Sequence, residues 1–400
     1  MYRMKLKHIS LTKALLGAAV ALAGSASVYA QEAVTEPTSR FNAVLTAVPS
    51  MQISPSARAA GMADMGVSTT PDVNSQYYNP AKFAFLSSKA GVTFSYTPWF
   101  AKLVKDIKLM EMSGYYKIGR EDNQALSASI RYFSFGKLEQ FDEMVQSLGT
   151  AYPNEFAVDF GYSLQLSQDY SMAVALRYIR ADNNLSTGEN SAGNAFAADI
   201  AGFYNRYVPI GPAESLVTFG FNLKNIGTKL SYNNGTTSAF LPTNMGLGAG
   251  LLYPFDDYNA LSVNLEANKL LVPTPPIKDP KNPEEYDAKW EKYLNTSSIG
   301  GMFTSFADAP GGFKEELQEV AWSLGAEYSY NNRFFLRAGY HYLSPYKGNL
   351  QYFTAGVGFK MSVFAIDASY LLSTVQSNPL DQTLRFSLSF DMDGIRNLLK

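Results

Sequence analysis

The feature that most constrains this chain is a period-two alternation of apolar and polar residues, repeated in run after run along most of its length. In 383–391, Leu384, Phe386, Leu388 and Phe390 alternate with Arg385, Ser387, Ser389 and Asp391. In 156–166, Phe156, Val158, Phe160, Tyr162, Leu164 and Leu166 alternate with Ala157, Asp159, Gly161, Ser163 and Gln165. Successive strand side chains point to opposite faces, so each run is predicted to be a strand between an apolar and a polar surrounding. The runs are about ten to thirteen residues long, enough for a tilted strand to cross a bilayer. About fourteen are present, an even number as in bacterial single-chain barrels. Their predicted spans are 89–98, 108–119, 124–135, 154–167, 170–182, 195–207, 215–226, 243–253, 259–271, 320–330, 333–343, 351–361, 363–373 and 382–391. The fold expected is all-β, an antiparallel transmembrane barrel.

The connections alternate too. One set is long: 99–107, 136–153, 183–194, 227–242, 272–319, 344–350 and 374–381. The other is mostly short: 120–123, 168–169, 208–214, 254–258, 331–332 and 362. Outer-membrane barrels put short turns in the periplasm and long loops outside. A soluble β-sandwich has no reason for this asymmetry, although its strands also alternate. With the barrel's start on the short-turn side, both termini are expected in the periplasm and the domain in the cell outer membrane.

The first thirty residues fit export. Arg3, Lys5, Lys7 and Lys13 precede an apolar run from Ala14 to Ala23, and Val28-Tyr29-Ala30 is a small-residue cleavage site. Residues 1–30 are therefore expected to be a signal peptide, 31–88 a periplasmic or plug segment, 89–391 the barrel and 392–400 a tail. Composition agrees with tall strands carrying aromatic girdles: 26 Tyr, 26 Phe and 30 Gly against 17% charged residues. A net charge of -2 gives no electrostatic case for nucleic acid.

Little catalytic chemistry is available. There is no cysteine, which removes thiolate nucleophiles and thiolate metal sites. The two histidines are His8, in the leader, and His341, inside a strand run. No nucleophile-elbow, phosphate-loop or zinc-protease motif occurs. No catalytic residue, cofactor or metal ligand is expected, and the chain is expected not to be an enzyme. Arg131, Asp159, Arg177, Lys224, Glu266, Glu327, Arg337, Lys360, Asp367 and Arg385 fall on the polar face. They are expected to be solvated or paired within the lumen.

Two segments lie outside the alternating pattern. Residues 41–88 are rich in small residues, with Ser54-Pro55 and Asn79-Pro80 as helix starts. Short helices of that kind fit a barrel lumen, with Arg58, Gly61, Asn79 and Pro80 as plug residues. The loop 272–319 has a strong helix start at Asn282-Pro283-Glu284-Glu285. Tyr286, Trp290 and Tyr293 then share one face, and Phe313, Leu317 and Val320 another. Loops this long tend to be lids or binding loops. Trp99, Phe100, Trp290, Tyr293, Phe303, Phe306 and Phe313 are the candidate partner- or cargo-binding anchors, since aromatic side chains dominate interfaces.

The strings Ser56-Ala57-Arg58-Ala59-Ala60-Gly61-Met62 and Tyr78-Asn79-Pro80-Ala81-Lys82-Phe83-Ala84 resemble the N-terminal segment of FadL-like outer-membrane proteins. With Ser95-Tyr96-Thr97-Pro98-Trp99, Leu103-Val104-Lys105-Asp106-Ile107 and Ser129-Ile130-Arg131-Tyr132-Phe133, the chain resembles the PorV (LptO) family of the type IX secretion system of Bacteroidota. That resemblance implies a FadL-like barrel of fourteen strands with a plugged lumen. It implies a protein that binds the C-terminal signal domain of secreted cargo. The cargo would pass from the large SprA/Sov-like translocon pore to a PorU-like sortase and other attachment-complex proteins. They remove the signal and join cargo to lipopolysaccharide, so outer-membrane lipid is a further implied partner. The competing expectation is a FadL-type channel for hydrophobic small molecules, with a continuous apolar tunnel past the plug and a basic residue awaiting a carboxylate. A third is a lipid-modifying enzyme using His341.

Overall fold

The computed structural model describes residues 41–392 except 101–103, 105, 142–143, 145, 183–191, 233–236, 278–282 and 376–379. The expected signal peptide and nearly all of the C-terminal tail lie outside the described residues.

The strands in chain order are β1 Ala90–Pro98, β2 Lys108–Ile118, β3 Gln124–Ser134, β4 Leu138–Phe141, β5 Ser147–Ala151, β6 Asn154–Gln165, β7 Tyr170–Asp182, β8 Gly193–Ile210 and β9 Ala213–Gly227. They continue as β10 Leu230–Tyr232, β11 Thr237–Ala239, β12 Asn244–Pro254, β13 Asn259–Leu270, β14 Val320–Tyr330, β15 Phe334–Tyr342, β16 Gln351–Lys360, β17 Phe364–Ser373 and β18 Leu384–Asp391. Among the described residues, fourteen form one closed antiparallel ring, with β8 paired to β9 and β18 paired to β1. The closing seam keeps strict register, from Gly91↔Asp391 to Tyr96↔Phe386. Closure leaves no exposed strand edge in hydrocarbon, the condition for a sheet to span a bilayer.

The burial pattern is the inverse of a water-soluble protein's. On β18, Arg385, Ser387 and Ser389 are buried while Leu384, Phe386 and Phe390 are exposed. On β6, Asp159 and Ser163 are buried while Phe160 is 65% exposed. An apolar band this continuous on the outside, around a polar inside, is stable only against lipid.

Every predicted run corresponds to a ring strand, with ends shifted by a few residues. The largest change is at β8 and β9, 18 and 15 residues long. They continue to a tight turn at Gly211 (φ 62°), so the predicted connection 208–214 contracts to 211–212. Two small hairpins escaped prediction, β4–β5 and β10–β11, both within long connections. Their strands are only 3–5 residues long, too short for alternation to register.

The long loop carries three helices: α-helices Pro283–Asn295, Ser298–Thr304 and Phe313–Gln318. The first and third were predicted, though the third stops before Val320, which enters β14. The middle one was not; its signal was Ser297, whose side chain accepts a hydrogen bond from the Gly300 N–H.

Candidate functional site: the plugged lumen and its outer cover

Residues 41–88 run through the barrel from end to end. At the long-loop end, the Asn42 N–H donates to the Tyr346 carbonyl and the Ala47 N–H to the Phe240 carbonyl. Midway, the Ala57 N–H donates to Ser387 Oγ and the Ala63 N–H to Thr354 Oγ1. At the short-turn end, Lys117 donates to the carbonyls of Leu86 and Lys89. The termini themselves, expected to share the periplasmic side, lie outside the described residues. Phe41 lies at the long-loop end, whereas β18 ends at Asp391 on the opposite one. The segment is continuous and nearly fully buried, and it reaches β1 only by traversing the lumen.

Each predicted plug residue has a contact that explains it. Arg58 uses all five of its N–H donors. Nε and Nη2 reach Glu327 at 3.0 and 2.8 Å, Nη1 reaches Asp72 at 2.9 Å, and Thr70 takes two more through its hydroxyl and carbonyl. Gly61 lies against β16, where an added Cβ would stand 3.0 Å from the Gly356 Cα. The side-chain amide of Asn79 donates to the carbonyls of Val67 and Gly202 at 2.9 and 3.0 Å, and its oxygen accepts from the Ala81 N–H. Pro80 opens the 3-10 turn Pro80–Phe85, buried throughout its first turn. Ser54-Pro55 does not start a helix. The short helix Ala57–Ala60 begins after Ser56, because the Ser54 hydroxyl is already bonded to the Tyr78 hydroxyl.

Most of the lumen charges are paired. Arg131 meets Glu111, Arg177 meets Asp159 and Asp199, Arg337 meets Glu327 and Asp367, and Arg385 meets Asp64. Glu266 takes the N–H groups of Gly66 and Val67, each at 2.9 Å. Lys224 has no carboxylate partner among the described residues, and Lys360 is not inside at all: it is exposed at the short-turn end, because β16 has left the barrel body there. Glu111, Asp199, Asp64 and Asp72 were missed. The alternation of 108–119 puts Glu111 on the inward set, but nothing local marks the plug aspartates as arginine partners. His341 is held between Ser323, 2.8 Å from its Nδ1, and the Tyr352 ring stacked at 4.8 Å.

At the long-loop end a cover is clamped over the mouth. Lys269, at the end of β13, reaches Glu316 and Glu319 at 2.9 and 2.5 Å. Lys347, from the 343–350 connection, reaches Glu315 and Glu319 at 2.5 and 2.9 Å. Asp308 accepts from the Thr274 N–H, and burial pushes its carboxyl up to about 6.

The candidate aromatics separate into two groups. Trp99 is buried among Ile53, Leu109 and Phe133, with half-buried Phe100 beside it, and so is not a surface anchor. A left-handed Phe100 backbone (φ 53°) turns the chain so that Trp99 folds inward. Trp290 stacks between Tyr286 and Tyr293, and Tyr293 packs on Phe240 of the rim. Phe303 and Phe313 are 75% and 77% exposed, and Phe306 is also exposed. Ile299 and Leu317, on the helices that carry Phe303 and Phe313, are also exposed and were not proposed as anchors from sequence.

A closed fourteen-strand ring, apolar outside and filled inside by its own N-terminal segment, defines a plugged β-barrel of the bacterial outer membrane. Residues 36–277 match the family described as type IX secretion system protein PorV, and the chain belongs to that family. It is thus an outer-membrane component of the type IX secretion system. Among solved structures it is similar to the toluene transporter TodX of Pseudomonas putida (12% identity, 83% of this chain and 96% of that one, TM-score 0.49). It is also similar to a FadL homologue of Pseudomonas aeruginosa (12% identity, 88% and 99% covered, TM-score 0.43). No curated protein matches the chain.

Proposed function

We propose that this protein works at its outer rim as a non-enzymatic carrier, binding the C-terminal signal domain of secreted cargo. It receives cargo from the large translocon pore and delivers it to the sortase and attachment complex. In this reading the long-loop end faces the cell exterior, so Phe41 lies outside and Asp391 faces the periplasm. The observation that carries the reading is that Phe303, Phe306 and Phe313 are each exposed on a cover clamped over a plugged mouth, in a member of this family. A filled lumen leaves the rim as the surface for a large partner, and several large apolar side chains exposed on one short stretch of it suit a partner site.

The test is a triple Phe303→Ser, Phe306→Ser, Phe313→Ser variant in the native secreting cell. Burying one such ring contributes about 1.5–3 kcal/mol. Loss of two or three is expected to cut cargo capture in a mild-detergent pull-down by at least tenfold, with barrel levels unchanged and cargo retained in the cell. Normal capture and secretion by the triple variant would overturn the reading. So would a wild-type pull-down that lacks both the translocon pore and cargo bearing the signal.

A further inference from the structure

Between the plug and the cover lies a cavity of about 370 Å³. Its roof is the rim: Ala43, Pro242, Glu319 and Lys347. Its floor is the plug: Asp64, Val67, Tyr77 and Tyr78. Lys224, Glu266, Ser323 and His341 project from the wall strands. The volume falls within the range of small-molecule sites, about 300–1,000 Å³.

The acids lining it are already committed. Asp64 is bonded to Arg385 and Tyr352, Glu266 to two plug N–H groups and Asn268, and Glu319 to Lys269, Lys347 and Thr274. Nearby Asp199 is taken by Arg177 and the Asn225 N–H. Lys224 is different. It is only 9% exposed, and among the described residues it has neither a carboxylate nor a hydrogen-bond acceptor. Its ammonium sits 3.9 Å above the Tyr77 ring. Tyr77 is itself fixed, its hydroxyl donating to the Met51 carbonyl at 3.1 Å. A cation–π contact offsets part of the desolvation of an ammonium, but buried charges are normally paired. The second ring nitrogen of His341, in the same cavity, also has no hydrogen-bond partner among the described residues.

We propose that this cavity is a binding site for a compact anion, with Lys224 as its counter-ion. The ligand class is a small molecule bearing one carboxylate or phosphate on a frame that hydrogen-bonds with His341. The lining suits that class better than a long acyl chain, because polar side chains are spread around the wall and the plug blocks the far side. The proposal is independent of cargo carriage, since it concerns the lumen and not the rim.

The test uses the full protein purified in detergent. Succinate, inorganic phosphate and, as a neutral control, succinamide are titrated by calorimetry. Crystals soaked in bromide are examined for anomalous density. Bromide within contact distance of Lys224 Nζ is expected, together with saturable binding of succinate or phosphate but not succinamide. Which of the two binds identifies the carboxylate or phosphate class. Lys224→Met is expected to weaken binding at least tenfold and Lys224→Arg to retain it, while the exposed Lys292→Met leaves it unchanged. Should Lys224→Met fail to fold, the bromide position in the wild type still decides. Absence of bromide at Lys224, binding of neither anion, or equal affinity in a folded Lys224→Met protein would each overturn the proposal.

Discussion

Arg58→Met is the sharpest probe of how the plug is held. The guanidinium makes three hydrogen bonds to carboxylates, two on Glu327 and one on Asp72, and two to Thr70. Summing charge-assisted bonds at about 1.5–3 kcal/mol each would overstate the loss, because the substitution also relieves the desolvation of a buried cation. Glu327 keeps Arg337, so the main orphan is Asp72, left with Ser75. Breaking one partner of a buried pair costs about 3–5 kcal/mol, and the remaining partners place this case at the low end. The barrel ladder itself is untouched, so the cost falls on seating the plug. At about 1.4 kcal/mol per decade, 3 kcal/mol raises the unseated population by about two decades. Amide hydrogen exchange in folded protein reads this directly: Ala60, Gly61, Gly66 and Val67 are expected to exchange about a hundredfold faster, while β1–β3 amides do not change. If the plug amides stay within threefold of wild type in a folded Arg58→Met protein, the ion-pair argument fails.

Two further outcomes follow from the same geometry. Gly220→Ala puts a Cβ 2.2 Å from the Val67 carbonyl oxygen, a backbone atom with little room to yield. It is expected to cost about 1–3 kcal/mol, as overpacking does, seen as a lower urea midpoint with plug-first exchange; an unchanged midpoint would refute the tight seating. For Asp308, burial raises the carboxyl from an ordinary 3.8 to about 6, so the folded cover prefers the protonated form. That contribution to the cover is fully present below about pH 3.8 and is lost as pH rises through about 6. Asp308→Asn is expected to remove that component of the pH dependence and to slow proteolysis of the loop at pH 7; an identical pH profile in the variant would count against it.

The strands were legible because lipid and lumen impose opposite demands on alternate residues, and Leu384 through Asp391 obey both. The pairing of lumen charges was not. Glu327 gathers Arg337 from the next strand and Arg58 from a segment far away in sequence, and nothing at either site announces the other. The course of the plug was not legible for a related reason: small residues and Asn79-Pro80 signal compactness, not which end of a tube the chain comes from. Trp99 misled because exposure at a strand end depends on the turn that follows, and a left-handed Phe100 has no simple sequence mark. Lys224 stood among ten charges that the alternation placed on the polar face; what singles it out is the prior commitment of the acids around it, which only the assembled lumen reveals.

The end-to-end course of residues 41–88 bears on how such a molecule can be made. The finished lumen is full, so a segment arriving after closure would have to thread the whole tube from one end. Laying the leading segment along the growing sheet while β1 and β18 are still apart avoids that passage, and pairing of the last seam then captures it. Insertion would therefore be ordered by chronology as much as by energy: a chain whose first and last strands meet too early yields a sound wall around the wrong contents.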